Sequence, residues 1–435
     1  LPNQGKTLIF WTLVDSRTRT GPRRGSVLMR TIVYYCAGIP LVLSVLTYLA
    51  LTSLGVELQS ARKSSSATML GVSYDVGVGA TAAELTYGNL AAPVRRPDQL
   101  LIRVHAASVN PVDFKMRRAK LPQWLVRAGR KIPGADIAGI VLEVPRGSRF
   151  RVGDRVAAMM PVVFTHWGAS AELAAVKEAH VALIPAGIRF VDAAALPLIA
   201  LTVVQGFEGA DLYGDDAAPV KQRLLVQAGA GGVGTFAIQW ASAVLGMEVE
   251  ASCSPASAAL VTSLGASRTI DYHNESALWG AASAQRYDVI FDPMSHRYEA
   301  RTLQPHFAAA APAAASILRR AGIYLGVMSS DWSLDAEGEE VANDSSTMLR
   351  ALRSWVLRTL GGNRAAAGAV VPRHRVVAVR PDGETLQRVL DRVAAGEIRA
   401  VVDKIFPLRD AAKAHEYLER GHAKGKVILE IIAEG

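Results

Sequence analysis

The sequence predicts an α/β protein with a doubly wound parallel sheet, preceded by one transmembrane helix. Two observations predict the sheet: a glycine-rich stretch stands between a strand-like and a helix-like segment, and strand-like and helix-like segments alternate after it. The third observation is that residues 31–56 contain no charged side chain. As a helix this run is about 39 Å long, against about 30 Å for the hydrocarbon core of a bilayer.

Basic residues concentrate at the start of the chain. The net charge of the 435 residues is +9, and residues 1–30 contribute +5 of it, from six basic side chains and one acidic one. The remaining +4 is spread over the body, so we expect no nucleic-acid partner. The two cysteines, Cys36 and Cys253, are too few and too far apart for a disulfide framework or a metal cluster.

The uncharged run predicts how the chain is attached. Residues 1–30 form a basic tail whose Arg/Thr-rich, acid-poor composition is typical of the remainder of an organelle-import segment. More basic residues precede the run than follow it, which favours the tail on the matrix or cytosolic side. Gly38 and Pro40 suit a helix that packs among other helices. We therefore expect residues 31–56 to contact membrane lipid and subunits of a larger membrane complex, with 57–68 as a polar linker.

The glycine-rich stretch indicates a dinucleotide site. RLLVQ, from residue 223, is strand-like, TFAIQWASAVLG, from residue 235, has helical spacing, and Gly229, Gly231 and Gly234 between them fit G-x-G-x-x-G. The first glycine permits a tight turn, the second lets the backbone approach a pyrophosphate, and the third lets helix pack on strand. The helix N-terminus then offers free N–H groups to the phosphates.

The next strand bears on the choice between NAD and NADP. Glu250 lies about twenty residues beyond the first glycine, where an acidic side chain would bind the ribose 2′-hydroxyl of NAD. If the strand instead ends at Ser252 and Cys253, its tip is small and neutral, with Ser254 beyond it. That second alternative favours the 2′-phosphate of NADP.

Later segments continue the alternation of strand and helix. YDVIF (287–291), GIYLGVM (322–328) and VVAVR (376–380) are predicted strands, and GETLQRVLDRVAAG, from residue 383, is a predicted amphipathic helix. This alternation favours parallel pairing of the strands, with helices on both faces of the sheet.

A series of stretches then gives a family resemblance. They are SVNPVDFKMR (108–117), GADIAG (134–139), VGDRVAA (152–158), LPLIALT (196–202), GAGGVGTFAIQ (229–239), CSPAS (253–257), LGAS with IDY (264–272) and ERGHAKGKVIL (419–429). With these stretches in this order, the chain resembles the zinc-independent quinone oxidoreductase branch of the medium-chain dehydrogenases/reductases. Within that branch it is most similar to the reticulon-interacting mitochondrial oxidoreductases.

The resemblance implies two domains with NADPH between them. A GroES-like β domain for the substrate would cover residues 69–205 and be completed by 398–435, and a Rossmann NADP-binding domain would cover 206–397. Gly231, Gly232 and Val233 would face the pyrophosphate, Ser254 and Tyr272 the 2′-phosphate end, and His422, Ala423 and Lys424 would close over the cofactor. The implied cofactor-binding positions are together Gly229, Gly231, Gly232, Val233, Gly234, Ser254, Tyr272, His422, Ala423 and Lys424.

The same comparison implies that no metal takes part. Related alcohol dehydrogenases place a cysteine and a His-Glu pair at the positions of Asn110, Ala135 and Asp136. Without thiolate and imidazole at those places there is no four-ligand zinc site. The implied reaction is hydride transfer to a conjugated acceptor such as a quinone or an enone, with Asn110 and Thr202 as the polar candidates in the cleft.

Two departures from the family pattern leave a second hypothesis open. The loop after DFKMR has no tyrosine, so no proton donor is identified, and DPMSH (292–296) replaces a glycine-containing turn beside the nicotinamide end. The first hypothesis is a reductase anchored in the mitochondrial inner membrane. The second is a nucleotide-binding accessory subunit of a membrane complex, such as a respiratory assembly, in which the fold is kept as a scaffold.

Overall fold

A computed structural model gives the fold of the greater part of the chain. It describes residues 67–119, 129–161, 167–212, 221–274, 287–294, 302–303, 316–327 and 372–434. The basic tail, the run 31–56 and all but the last two residues of the predicted linker lie outside these residues. In the described part, no helix is both long and apolar enough to cross a bilayer.

The described strands and helices are as follows. The strands are β1 (Thr68–Asp75), β2 (Thr86–Ala91), β3 (Gln99–Val109), β4 (Arg130–Lys131), β5 (Asp136–Glu143), β6 (Arg155–Met159), β7 (Leu173–Lys177), β8 (Val181–Leu183), β9 (Arg223–Val226), β10 (Glu248–Cys253), β11 (Arg268–Asp271), β12 (Tyr287–Asp292), β13 (Leu318–Val327), β14 (Arg373–Val377), β15 (Val402–Pro407) and β16 (Lys426–Glu430). The helices are α1 (Pro111–Arg118), α2 (Phe190–Ala194), α3 (Pro197–Gly209), α4 (Gly232–Gln239), α5 (Ala258–Ser263), α6 (Gly383–Ala394) and α7 (Ala411–Glu419).

The predicted doubly wound sheet is confirmed. Six strands lie in the order β11-β10-β9-β12-β13-β14, and every neighbouring pair is parallel. The chain moves outward from β9 in one direction and then from β12 in the other, so the order reverses between these two strands. In open α/β sheets, ligands bind at the carboxyl ends of the strands beside such a switch point.

One predicted strand is displaced. Strand β14 covers Arg373–Val377, whereas the sequence predicted 376–380. Beyond Val377 the backbone leaves the sheet and binds α3, because the Arg380 N–H donates to Gln205 Oε1 at 3.1 Å and the Arg380 carbonyl accepts from Gln205 Nε2 at 2.9 Å. A side chain far away in the sequence therefore satisfies these backbone groups instead of a neighbouring strand.

The other two sheets are built mainly from the first half of the described chain. One has the order β2-β1-β4, and the other runs β15-β16-β3-β5-β6-β8, with β7 also paired to β3. Strand β16, near the end of the chain, pairs antiparallel with β3 in the register Val427 opposite Val109. The C-terminal segment is thus an internal part of this sheet.

A shared hydrophobic core joins the two larger sheets. One buried cluster extends from Ala106 on β3 and Ala138 on β5, through Leu201 and Phe207 on α3, to Phe236 on α4. All five side chains are almost completely buried. This packing holds the glycine-rich turn before α4 next to the C-terminal segment before β16.

Candidate active site

The glycine-rich turn connects β9 to α4 through backbone hydrogen bonds. The Gly229 N–H donates to the Ser252 carbonyl at 2.7 Å, and the Gly231 N–H donates to the Ala228 carbonyl at 3.0 Å. Ala228 takes a left-handed conformation, with φ of 50°. Gly231 is the N-cap of α4, and no side chain caps the helix there. The N–H groups of the first helical turn and the positive end of the helix dipole are therefore presented toward an anion.

The three glycines of the motif differ in the space around them. A Cβ on Gly234 would lie 2.3 Å from the Ala228 carbonyl oxygen, and one on Gly229 would lie 2.8 Å from Ala251 Cβ. A Cβ on Gly231 would meet only the Ala228 carbonyl oxygen, at 3.4 Å. The first and third glycines thus permit close packing, while the middle one leaves open space against the backbone, as the predicted pyrophosphate contact requires.

Glu250 is engaged inside the sheet. Its carboxylate accepts hydrogen bonds from the Tyr287 hydroxyl and from Arg223 Nη2, both at 2.7 Å, and lies 3.4 Å from Arg268 Nη1. The side chain is 3 % exposed. Of the two alternatives for this strand, the structure therefore shows the one in which β10 ends beyond Glu250, at Cys253.

The tips of β10 and β11 lie side by side. Cys253 and Asp271 are direct partners in the parallel pair, so the residues that follow them, Ser254 and Tyr272, are neighbours at the carboxyl edge of the sheet. Ser254 Oγ lies 3.2 Å from Ser257 Oγ. Tyr272 is 36 % exposed, which leaves its ring accessible at this edge.

The C-terminal segment crosses to the glycine-rich turn. The Gly425 N–H donates to the Ala230 carbonyl at 2.9 Å, and Gly425 pairs with Gly231 in an isolated parallel bridge. Lys424 Nζ donates to the Ala256 carbonyl at 3.1 Å, in the turn that follows β10. His422 is exposed and Ala423 is half-buried in the same segment. The structure thus brings Lys424 toward Ser254, although the ten cofactor-binding positions remain a prediction.

Asn110 lies in a buried polar network at the end of β3. Its Nδ2 donates to Asp136 Oδ2 at 2.9 Å and lies 3.4 Å from Ser108 Oγ, while its Oδ1 accepts from Lys426 Nζ. Lys426 Nζ also lies 3.6 Å from Asp136 Oδ2, and burial lowers the pKa of this ammonium whereas Asp136 raises it. Because the Asn110 amide already has these protein partners, the predicted substrate contact would require it to exchange one of them.

Thr202 lies within α3 and is connected to the same network. Its hydroxyl donates to the Leu198 carbonyl at 2.7 Å, one helical turn earlier, and the side chain is 1 % exposed. The Leu198 N–H donates to Asp136 Oδ1 at 2.8 Å. Asp136 therefore joins both predicted polar residues, and the substrate-facing role of Thr202 remains a prediction.

Sequence reasoning missed a second group of polar residues behind Asn110. Asp113 Oδ2 accepts the Asn110 N–H at 2.7 Å, and Asp113 lines a small pocket together with Tyr74 and Lys131. Burial raises the pKa of Asp113 to about 7 and lowers the pKa of Lys131 to about 8. No local pattern in the sequence indicates this group, because only the pairing of β1 with β4 brings Tyr74 next to Lys131.

The DPMSH stretch begins at the switch point of the parallel sheet. Asp292, at the end of β12, is fully buried and accepts the Met294 N–H at 2.8 Å and the Tyr324 hydroxyl. Met294 is 50 % exposed, so a flexible apolar side chain stands at this edge. Ser295 and His296 lie outside the described residues.

The positions expected from the family to hold zinc belong to the polar network. Asn110 and Asp136 are bonded to each other, and Ala135, directly before β5, is fully buried. Across the described ranges, no three His, Cys, Asp or Glu side chains come together as a possible metal site.

Comparisons with known proteins agree with this architecture. The family model of the alcohol dehydrogenase GroES-like domain matches residues 96–186, and that of the zinc-binding dehydrogenases matches 264–429. Among solved structures, a quinone oxidoreductase from Coxiella burnetii has a TM-score of 0.64 at 24 % identity, covering 84 % of this chain and 100 % of its own. At that identity the likeness establishes the fold: a GroES-like domain with a Rossmann sheet.

Two curated relatives cover most of the described chain. The chloroplastic NADPH-dependent alkenal/one oxidoreductase of Arabidopsis thaliana is 30 % identical over 349 residues, which is 78 % of this chain and 74 % of that protein. The mitochondrial NAD(P)H oxidoreductase RTN4IP1 of Homo sapiens is 28 % identical over 360 residues, 79 % of this chain and 85 % of that protein. The chain therefore belongs to the medium-chain dehydrogenases/reductases, in their quinone oxidoreductase branch.

Proposed function

We propose that this protein is a zinc-independent, NADPH-dependent oxidoreductase that transfers hydride to a quinone or an enone. The observation that carries the proposal is the space at Gly231 before the uncapped start of α4. The names of two relatives, an NADPH-dependent alkenal/one oxidoreductase and an NAD(P)H oxidoreductase, support the same reaction class. When bound, the nicotinamide cofactor supplies the hydride.

The residues of this chain would hold and orient that cofactor. The N–H groups at the start of α4 would donate to the pyrophosphate. The exposed ammonium of Lys424 lies at the Ala256 carbonyl, two residues after Ser254, where a 2′-phosphate is expected. The tip of β10 carries no acidic side chain that would favour a free 2′-hydroxyl, because the strand ends at Cys253. Glu250 lies inside the strand and is bound by arginines and a tyrosine. These contacts support NADPH over NADH.

The location belongs to the same proposal. We propose that residues 31–56 anchor the protein in the mitochondrial inner membrane, as a single-pass segment in contact with lipid and with subunits of a larger complex. The absence of charge in this run and the mitochondrial relatives support this location. A lipid-soluble quinone as acceptor would explain the anchor, because such a substrate lies within the membrane.

An accessory subunit that binds nucleotide without turnover is the alternative. Met294 and Pro293 stand at the switch point in place of the glycines of the family pattern, and they support this alternative because their side chains would crowd a nicotinamide bound there. The intact glycine-rich turn suits either function.

Assays on a single preparation distinguish the two functions. The full chain is purified in mild detergent and assayed for NADPH and NADH oxidation with short-chain quinones and with cyclohex-2-enone. We expect turnover with NADPH from a monomeric particle, a result that excludes the scaffold function. Bound NADPH without turnover, in a large stable particle, would exclude the enzyme. Carbonate extraction of mitochondrial membranes tests the anchor, which requires the protein to stay in the pellet.

A further inference from the structure

A row of buried polar side chains crosses the carboxyl edge of the Rossmann sheet. Four neighbouring strands each supply one member, and the four are Ser252 on β10, Gln227 directly after β9, Asp292 on β12 and Tyr324 on β13. Ser252 Oγ donates to Gln227 Oε1 at 2.6 Å, and the Tyr324 hydroxyl donates to Asp292 Oδ2. None of the four is more than 2 % exposed. Hydrogen-bonded networks in the interior rigidify the backbone that they bind.

The two halves of the row each bind one turn. Ser252 Oγ accepts the Ala228 N–H at 3.1 Å, at the start of the glycine-rich turn. Asp292 Oδ1 accepts the Met294 N–H at 2.8 Å, in the turn that follows β12. One half thus supports the turn proposed for the pyrophosphate, and the other supports the turn beside the nicotinamide end.

Tyr324 connects the second turn to the interior of the sheet. An aspartate that accepts only the N–H two residues ahead forms a local turn, which is easily lost. The Tyr324 hydroxyl reaches Asp292 from a strand 32 residues away in the sequence, and the side chain is fully buried. Its ring centroid also lies 5.7 Å from that of His374 on β14. Packing therefore fixes the hydroxyl, and the hydroxyl fixes the carboxylate that holds the turn.

On the basis of the proposed function, we propose that Asp292 and Tyr324 are positioning residues for the nicotinamide half of NADPH. They hold the turn at 292–294 in its binding arrangement before the cofactor arrives, so no free energy of binding is lost in ordering it. Loss of the Tyr324 hydroxyl leaves the Asp292 carboxylate buried with one donor fewer. The turn then has to be ordered during binding, which weakens the affinity for the nicotinamide half.

Two ligands report separately on the two turns. NADPH occupies both ends of the site, whereas 2′,5′-ADP has the adenosine, the 2′-phosphate and one phosphate of the pyrophosphate but no nicotinamide. Both are titrated onto the full chain by calorimetry. We expect Tyr324→Phe to raise the Kd for NADPH about fivefold, the loss typical of one hydrogen bond, and to leave the Kd for 2′,5′-ADP unchanged. An equal loss for both ligands, or no loss for NADPH, overturns the proposal.

Tyr287→Phe is the matched control. Tyr287 is also buried, and its hydroxyl donates to the Glu250 carboxylate at 2.7 Å. It begins β12, whereas Asp292 ends it, so the two lie about 16 Å apart along the strand. We expect this variant to lose stability in urea as Tyr324→Phe does, because each loses one hydrogen bond to a carboxylate, while both Kd values stay unchanged. A fivefold loss of NADPH affinity in Tyr287→Phe would assign the effect to a general loosening of the sheet and overturn the positioning role.

A measurement on the wild type covers the case in which Tyr324→Phe does not fold. Amide hydrogen exchange, resolved to single residues by fragmentation in the mass spectrometer, reports whether the turn is ordered without nucleotide. We expect the Met294 amide to be protected before NADPH is added, because its N–H is already bound to Asp292. Exchange of this amide at the rate of an unstructured peptide overturns the proposal.

These measurements remain separate from the proposed function. If NADPH binds without turnover, the proposed reductase fails, while the two Kd values still decide the positioning role. If turnover is normal and Tyr324→Phe binds NADPH as the wild type does, the positioning role fails and the reductase stands. If the wild type does not bind NADPH, both fail.

Discussion

The two sides of the candidate cleft are made of different atoms. On the Rossmann side, the turn from Gly229 to Gly234 offers backbone N–H groups and empty space. On the GroES-like side, Asp136 and Lys426 bring formal charges into the interior, and Asp113 adds a buried titratable carboxyl. The turn depends on volume and contains no titratable side chain, whereas the GroES-like side depends on charge balance and so on pH. The experiments below change volume on one side and charge on the other.

The largest effect is expected for Lys426→Met. The substitution keeps the apolar stem but leaves the buried Asp136 carboxylate without its cation, 3.6 Å away in the wild type. We expect a loss of about 4–5 kcal/mol in the free energy of unfolding, measured with urea. Lys413→Met is the control, because the Lys413–Asp410 pair is exposed and contributes less than about 1 kcal/mol. Equal losses in the two variants would contradict the buried-charge account.

The next effect is the pH dependence removed by Asp113→Asn. The pKa of Asp113 is raised to about 7 from 3.8, so the folded protein keeps a proton that the unfolded chain releases between these values. This carboxyl therefore stabilises the fold below pH 3.8, and that contribution is lost as pH rises to about 7. Relative to wild type, we expect the variant to gain about 2–4 kcal/mol between about pH 4 and about pH 8, measured by denaturant titration. A constant difference across this window would mean that Asp113 is not buried as an acid.

A smaller effect on the free energy of unfolding is expected for alanine substitutions in the glycine-rich turn, and it differs between Gly234 and Gly231. Gly234→Ala places a Cβ 2.3 Å from the Ala228 carbonyl oxygen, and we expect a loss of about 2 kcal/mol in unfolding free energy from the forced backbone shift. Gly231→Ala meets only one atom, at 3.4 Å, and its φ of −75° is ordinary, so stability changes by less than about 0.5 kcal/mol.

Gly231→Ala, which hardly changes stability, should nevertheless weaken nucleotide binding. The methyl group of Gly231→Ala fills the space proposed for the pyrophosphate, so we expect the Kd for NADPH to rise about tenfold, measured by fluorescence titration. If Gly231→Ala binds NADPH as well as the wild type, the phosphates lie elsewhere.

The smallest effect is expected for Lys424→Met. This exposed ammonium now donates to the Ala256 carbonyl, and we expect it to turn to the 2′-phosphate. The Kd for NADPH should rise about threefold at low salt, since an exposed ion pair contributes less than about 1 kcal/mol, and the Kd for NADH should stay unchanged. A parallel loss for both nucleotides would place Lys424 away from the 2′-phosphate.

Much of the Rossmann side could be predicted from the sequence, whereas little of the charged side could. The G-x-G-x-x-G turn, β9 and β12 are local patterns, because residue spacing alone encodes strand, turn and helix. Tyr74 and Lys131 approach each other only through the pairing of β1 with β4, and such register is set by the whole fold. The same reason explains Glu250, whose partners come from three different strands.

The position of β16 has a consequence for synthesis of the protein. This strand lies between β15 and β3 in the finished sheet, and the segment before it touches Gly231. On the ribosome, β3 emerges long before its neighbour β16 has been translated. A nascent chain therefore has an open edge on β3, and its glycine-rich turn lacks the contact with Gly425, until β16 has been translated.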